Sequence, residues 1–549
     1  MDKIWLKSYQ KNIATEIDPA TYPSLNELFE ETCKKHAADT AYISMGTHLS
    51  FKALEQESRH LATYLQQLNL AKGTRVAIIL PNILQYPISL LAILRAGLVV
   101  VNTNPMYTTS ELTHQLHNAQ AEVAIVFTQC IPTLQQALPQ LPYLKHVIVA
   151  EIGDLFPWPK RILYNLLFRL KHSKYAHTLP ESAPFRQALQ EGRRSEFQSI
   201  ICQPEDPAFL QYTGGTTGIS KGAVLSHRNM VANVLQTSAW IASAPMTNDD
   251  LIITALPLYH IFSLTANCLL FLHLGVRNLL IADPRQTKAL LKQIHRNPPT
   301  AITGVNTLYS SILNHPNFNP ADFAQLKIAL SGGMALNQNV AERWKAIAPH
   351  PIIEAYGLTE ASPAVCINPL DHARQGSIGL PLPATEVSIR DEHGQACPLG
   401  EIGELCVRGP QIMQAYWQCP QETALVFHPD GFLRTGDSVR MDDQGFIYLT
   451  DRIKDLIIIS GFNVYPHEIE EVISQMDQVL EVAVIGVASK AGNERIKACV
   501  VARDPSLTRE EVLAHCRQQL TSYKIPKIVE LYSELPKTNV GKILKRMLR

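Results

Sequence analysis

Apolar runs that do not alternate constrain this chain more than any other feature. From Ser50 the sequence reads SFKALEQESRHLATYLQQL, then RVAIILPN, then ISLLAILRAG, then LVVVNTN. The first and third segments repeat apolar residues at helical spacing, the first behind a serine suited to cap it. The second and fourth are β-branched and apolar at nearly every position, so neither face of such a strand suits water. A strand buried on both faces needs a layer on each side. A helix between successive strands supplies that cover and the crossover that parallel pairing requires. The alternation returns in VAIVF, HVIVAEI, TAITGVN and LKIALSGG. The expected fold class is α/β, a large N-terminal domain of parallel-rich sheets layered with helices.

After residue 385 the pattern changes to short strands and turns, ATEVSIRDEHGQACPLGEIGELCVRGP, which predicts a β-rich subdomain with a hairpin at DEHG. A last run contains EIEEVISQM, VLEVAVIGV, IKACVVAR and REEVLAHCRQQL, a small α+β unit. At 549 residues the chain is too long for one ordinary core. We expect an N-terminal domain over 1–450, a hinge over 451–456 and a mobile C-terminal domain over 457–549.

Charge and cysteine usage exclude several classes. Lys plus Arg and Asp plus Glu each number 49, so no bulk basic surface points to nucleic acid. Ten cysteines lie scattered without a C-x-x-C pair, as expected of reduced thiols in the cytoplasm. The N-terminus MDKIWLKSYQKN lacks an apolar stretch of the signal-peptide kind. Leu251 to Val276 carries no Asp, Glu, Lys or Arg, but Pro257, Tyr259, His260 and Asn267 favour a buried strand turning into a buried helix over a membrane span. PKRILYNLLFRLKHSKY (159–175) is a basic amphipathic segment, and two readings stay open. It lies on an anionic bilayer, or it packs on the protein with its basic face solvated.

YTGGTTGISKGA (212–223) groups glycines, hydroxyls and one lysine. Glycine lets backbone N–H groups approach an anion closely, and successive N–H groups form an anion-binding concavity. The P-loop pattern fails, because Ile219 and Ser220 stand where its second glycine would be and Gly222 follows Lys221. GISKG does match G-x-S-x-G with Ser220 as nucleophile, but that elbow needs a strand before it and a helix after it. GAVL follows instead, and a helix is expected only from Ser226. A phosphate loop of non-Walker type is the better reading.

Further motifs follow in series: LPLYHIF (256–262), SGGMAL (331–336), EAYGLTE (354–360), FLRTGD (432–437), DRIKD (451–455), SGFNVYP (460–466) and LPKTNVGKILKR (535–546). Together they resemble the adenylate-forming superfamily of acyl-CoA synthetases, luciferases and peptide-synthetase adenylation domains. SGFNVYP, TGVNTLYSSIL, LPKTNVGKIL and ILRAGLVVVNTNPMYT bring the chain nearest to the bacterial long-chain fatty acyl-CoA synthetases.

The resemblance implies ATP, Mg2+ and coenzyme A acting on a long-chain fatty acid. The carboxylate attacks the α-phosphate, and the coenzyme A thiol then attacks the acyl-adenylate. It assigns Thr213, Gly214, Gly215, Thr216, Thr217, Gly218 and Lys221 to the β- and γ-phosphates, and Thr213 and Glu360 to Mg2+. Gly332, Gly333, Glu354, Ala355, Tyr356, Gly357 and Thr359 form the adenine slot, with Tyr356 stacked on the base. Asp437 binds the ribose hydroxyls beside Arg452. Lys542, Glu360 and Thr217 act on the reacting groups, with Lys542 reaching the carboxylate and α-phosphate. DRIKD would be the hinge, with Lys454 near the nucleotide and Gly461 lining the pantetheine channel after rotation. His260, Val305 and Tyr309 would line the acyl end, His260 as a wall and not a base. A peripheral contact with the cytoplasmic face of an anionic membrane and a homodimer complete the expectation. Alternatives are a ligase for a medium-chain or aryl acid or one serving a carrier protein, a serine hydrolase using Ser220, and a non-catalytic nucleotide-binding regulator.

Overall fold

The computed structural model describes residues 3–171, 179, 182–213, 220–452, 455–459, 462–488, 494–538 and 541–549. Two large sheets form the N-terminal part. In the first, Val99–Asn102, Arg75–Ile79, Val123–Phe127 and His146–Ala150 run parallel, the first three buried through most of their length. Pro207–Thr213 joins them in parallel beside Val99–Asn102, and Lys221–Ser226 returns antiparallel at that edge. In the second sheet Arg277–Leu280, Leu251–Thr254, Ala301–Gly304, Ile328–Gly332 and Ile352–Gly357 are parallel, and Ala364–Ile367 joins antiparallel beside Ile352–Gly357.

Cover on both faces comes from the helices between these strands. Phe51–Gln67 starts at Ser50, whose hydroxyl accepts the Ala53 N–H. His227–Trp240 starts at Ser226, which forms a reciprocal capping box with Asn229. That helix is buried on most of its surface, and Asn233 and Gln236 reach from it to the carbonyls of Ala364 and Pro383. The charge-free segment is core: the strand Leu251–Thr254, then a short helix that widens to π geometry over Leu264–Leu270. Among the described residues no helix is long and apolar enough to cross a membrane.

A single asparagine ties the two sheets together at the carboxyl ends of their strands. Asn82 donates to the carbonyls of Thr254 (3.0 Å) and Leu256 (2.9 Å) and accepts from the Leu258 N–H (2.9 Å). Crevices at such ends are where open α/β sheets bind ligands.

Beyond residue 385, Glu386–Arg390, Gly403–Arg408, Leu433–Met441 and Ile447–Arg452 form an antiparallel sheet, with the expected turn at Asp391–Gly394. The strand Ile447–Arg452 runs past residue 450. The small C-terminal part has its own core around Ile469, Val484, Val500 and Cys516, built on Val479–Ala488, Glu494–Ala502 and Ile528–Tyr532.

Candidate active site

A cavity of about 1790 Å3 opens where the two sheets, the antiparallel subdomain and the C-terminal part meet. Thr213 and Lys221 are register partners at the cavity edge, at the ends of two paired strands that the glycine-rich stretch links in sequence. Gly214, Gly215, Thr216, Thr217 and Gly218 lie outside the described residues. Ser220 donates its hydroxyl to the Thr213 carbonyl and leads straight into a strand, not a helix. The elbow geometry a nucleophilic Ser220 would need is therefore contradicted. His114 Nε2 lies 3.1 Å from the Ser220 carbonyl.

Lys221 Nζ stands 5.3 Å from the centre of the Tyr416 ring, and Tyr416 donates its hydroxyl to Glu360 Oε1 at 2.6 Å. Burial and the neighbouring Glu360 carboxylate both hold the Tyr416 proton on. Thr213, Lys221, Tyr416 and Glu360 thus border one corner of the cavity. Its donors are oxygens, the Thr213 hydroxyl and the Glu360 carboxylate, which suit a hard cation such as Mg2+ and not a soft one.

The adjacent wall is the carboxyl end of the parallel strands. Gly332 and Ala355 are register partners, and Gly333 turns out of its strand at φ +79°. Glu354, Tyr356, Gly357 and Thr359 follow along the cavity. Glu354 accepts the Gly376 N–H at 2.9 Å, and burial pushes its carboxyl up to about 7. Tyr356 donates its hydroxyl to Asp437 Oδ2 at 2.6 Å. Asp437 is buried opposite Arg452 in strand register. The Arg452 side chain, Lys454 and Gly461 lie outside the described residues.

Lys542 enters from the C-terminal part on a tight turn. The Gly541 N–H bonds to the Thr538 carbonyl (2.9 Å), and the Lys542 N–H to the Thr538 hydroxyl (3.1 Å). Gly541 has φ +83°, and a Cβ there would stand 2.5 Å from Thr307 Oγ1 and 3.3 Å from Val305 Cγ2. The lysine loop thus rests on the N-terminal part. His260 lines the same cavity, and burial, helped by the Lys542 charge, lowers its pKa to about 4. It is neutral at neutral pH.

The acyl-end expectation divides. Val305 and His260 line the cavity with Phe262, Thr265, Leu270 and Phe271. Tyr309 does not. It is wholly buried against Trp344, with its hydroxyl on the Leu330 carbonyl at 2.8 Å, because Asn306 and Thr307 at the start of its helix face the cavity while Tyr309 and Ile312 lie on the face that packs into the core.

Sequence reasoning missed Tyr416 and Glu404. Glu404 takes the Arg434 guanidinium and the Gly436 N–H (3.1 Å), which holds the turn before Asp437. Neither residue stands in a motif, and only its position in space marks it.

One cavity is thus bordered by the hairpin ends, the ends of the parallel strands and the Lys542 loop of the C-terminal part. Residues 29–417 match the AMP-binding enzyme family and residues 468–542 the AMP-binding enzyme C-terminal domain; the chain belongs to this family. The long-chain-fatty-acid–CoA ligase of Yersinia pestis is 49% identical over 100% of this chain and 98% of its own length. Among solved structures, ATP-bound MatB from Rhodopseudomonas palustris superposes with a TM-score of 0.83 at 29% identity, covering 96% of this chain and 98% of that one. Apo MatB superposes less well, at 0.73, over 96% and 98%.

Proposed function

We propose that the chain activates long-chain fatty acids to acyl-CoA through an acyl-adenylate. The observation that carries this is the convergence of Lys542, the Tyr356–Asp437 pair and an apolar wall of Phe262, Leu270 and Phe271 on one cavity. A carboxylate oxygen attacks the α-phosphorus of ATP, the bond to the β-phosphate oxygen breaks, and pyrophosphate leaves. The thiolate of coenzyme A then adds to the acyl carbonyl, and AMP leaves with the oxygen it shared.

Both partners in the first step are anions, so the site must supply positive charge where it accumulates. Lys542 does so at the carboxylate and α-phosphate. Lys221, with Gly214, Gly215, Thr216, Thr217 and Gly218, holds the outer phosphates. Thr213 and Glu360 would hold Mg2+, which neutralises phosphate charge. Asp437 accepts the ribose hydroxyls with Arg452 beside it, and Gly332, Gly333 and the stretch from Glu354 to Thr359 enclose adenine. Rotation about residues 451–456 exchanges Lys542 for Gly461 and the pantetheine channel, with Lys454 at the pivot. The better superposition on the ATP-bound relative supports an adenylation-like resting arrangement. The same reading includes a cytoplasmic homodimer in peripheral contact with the membrane.

Pyrophosphate release from MgATP across carboxylic acids from acetate to oleate, with and without coenzyme A, tests the proposal. Release with palmitate or oleate, and acyl-CoA only with coenzyme A, is expected. Release confined to short or aromatic acids would keep the family chemistry and remove the long-chain assignment.

A further inference from the structure

The basic helix Lys160–Lys171 sits on the protein the opposite way round from an ordinary surface helix. Its inward contacts are mostly polar or aromatic. Lys160 Nζ donates to the Met45 carbonyl (2.7 Å) and the Thr47 hydroxyl (3.0 Å) and lies 4.9 Å from the Phe156 ring centre. Asn165 accepts the Gly153 N–H (2.8 Å) and donates to Glu151 (2.7 Å). Phe168 meets Phe127 at 5.4 Å. These anchors recur four or so residues apart, so they fix one face of the helix.

The other face is apolar and in water. Ile162, Leu163, Leu166, Leu167 and Leu170 are 49–68% exposed, and Trp158, just before the helix, is 70% exposed. Their spacing makes one continuous ridge. Scattered exposed leucines need no explanation, but a contiguous apolar ridge on a helix marks a surface that something covers. The helix packs on the protein through the contacts above, and that packing leaves its apolar ridge exposed.

Charge indicates what covers it. No Asp or Glu stands between Asp154 and Glu181, while Lys160, Arg161, Arg169, Lys171 and Lys174 fall in that stretch, in a chain whose Lys plus Arg and Asp plus Glu balance at 49 each. A second copy meeting this face by two-fold symmetry would bring like charges together. An anionic bilayer accepts both features, the ridge at the acyl boundary and the net positive charge of the stretch drawn toward the headgroups, with Trp158 at the interface. We propose that the ridge Ile162–Leu170 is a membrane-docking face that inserts into the surface of an anionic bilayer. This deepens the fatty-acid reading above, on which it rests for its physiological sense, by naming the surface from which an apolar substrate would be taken.

The test is co-sedimentation of the full-length protein with phosphatidylcholine vesicles, with and without phosphatidylglycerol. The variants are Leu166→Ser/Leu167→Ser on the ridge and Ile201→Ser as a still more exposed control elsewhere. Wild type and Ile201→Ser should bind the anionic vesicles, and the ridge variant should bind on the order of a hundredfold more weakly. Unchanged binding of the ridge variant, equal weakening by Ile201→Ser, or no binding by wild type would overturn the proposal. So would a dimer that the ridge variant converts to monomer without change at the vesicle. Pyrophosphate release with fatty acid presented on albumin is read in the same samples. Ridge-dependent vesicle binding without any release would uphold the docking face and remove the ligase reading.

Discussion

Tyr416 holds Glu360 through a 2.6 Å hydrogen bond across 56 residues of sequence, and its ring faces the Lys221 ammonium. A hydroxyl donating to a carboxylate both orients it and leaves its charge in place for a cation. Tyr416→Phe keeps the ring and removes the donor. Adenylation kcat/KM should fall about tenfold to a hundredfold. Tyr416→Leu should fall further, because the face offered to Lys221 goes too. Pyrophosphate–ATP exchange measures both, and a Phe variant at wild-type rate would mean that Glu360 is held by other contacts.

Gly541 allows the lysine loop to approach Thr307. Alanine there meets both a positive φ and a Cβ position 2.5 Å from Thr307 Oγ1. Displacing Lys542 by a fraction of an ångström should slow adenylation by about tenfold to a hundredfold. Thioester formation from supplied acyl-adenylate should change much less, since on the proposed rotation another face of the C-terminal part serves that step. Equal slowing of both half-reactions would show a folding defect and not a misplaced lysine.

The Tyr356 hydroxyl is 2.6 Å from Asp437 Oδ2. Tyr356→Phe should raise KM for ATP by about tenfold while kcat moves less, because the carboxylate loses its orienting partner and the ring remains. Initial rates over a range of ATP at saturating fatty acid decide it. A change in kcat alone would place this pair nearer the reacting atoms than the nucleotide sugar.

Glu354 makes stability fall toward high pH. Burial raises its carboxyl from 4.5 to about 7, so within that window the folded state keeps a proton that the unfolded chain has lost. Stability therefore declines as pH rises through it. Glu354→Gln removes the titration and should exceed wild type by on the order of 2 kcal/mol above about pH 7, with the advantage vanishing toward pH 4.5. At His467, Glu470, Glu471 and Asp451 outweigh burial and raise the pKa; that titration has the same sign and remains in the variant. The difference between the two melting curves across pH thus reports Glu354 together with its coupling to the neighbouring His467.

The alternation of fully apolar strands with amphipathic helices determined the layered α/β fold before any tertiary contact was known. Periodicity and caps act over a few residues, which is why Ser50 and Ser226 could be placed at helix starts from sequence. The motifs also contained Thr213, Lys221, Gly332, Glu354, Asp437 and Lys542, which border one cavity. Long-range partners were not legible. Nothing near residue 416 points to Glu360, because a hydrogen bond between a strand and a short helix distant in the chain leaves no local period. A helix's pattern also names two faces without saying which neighbour each will meet. Packing turned Tyr309 toward Trp344 and away from the cavity. It also turned the basic helix so that Lys160 and Asn165 point inward and Leu166 and Leu167 face water. Sequence determined which side chains belong together on a face, and the tertiary structure decided which way each face looks, because only the assembled neighbours supply or withhold the partners a face needs.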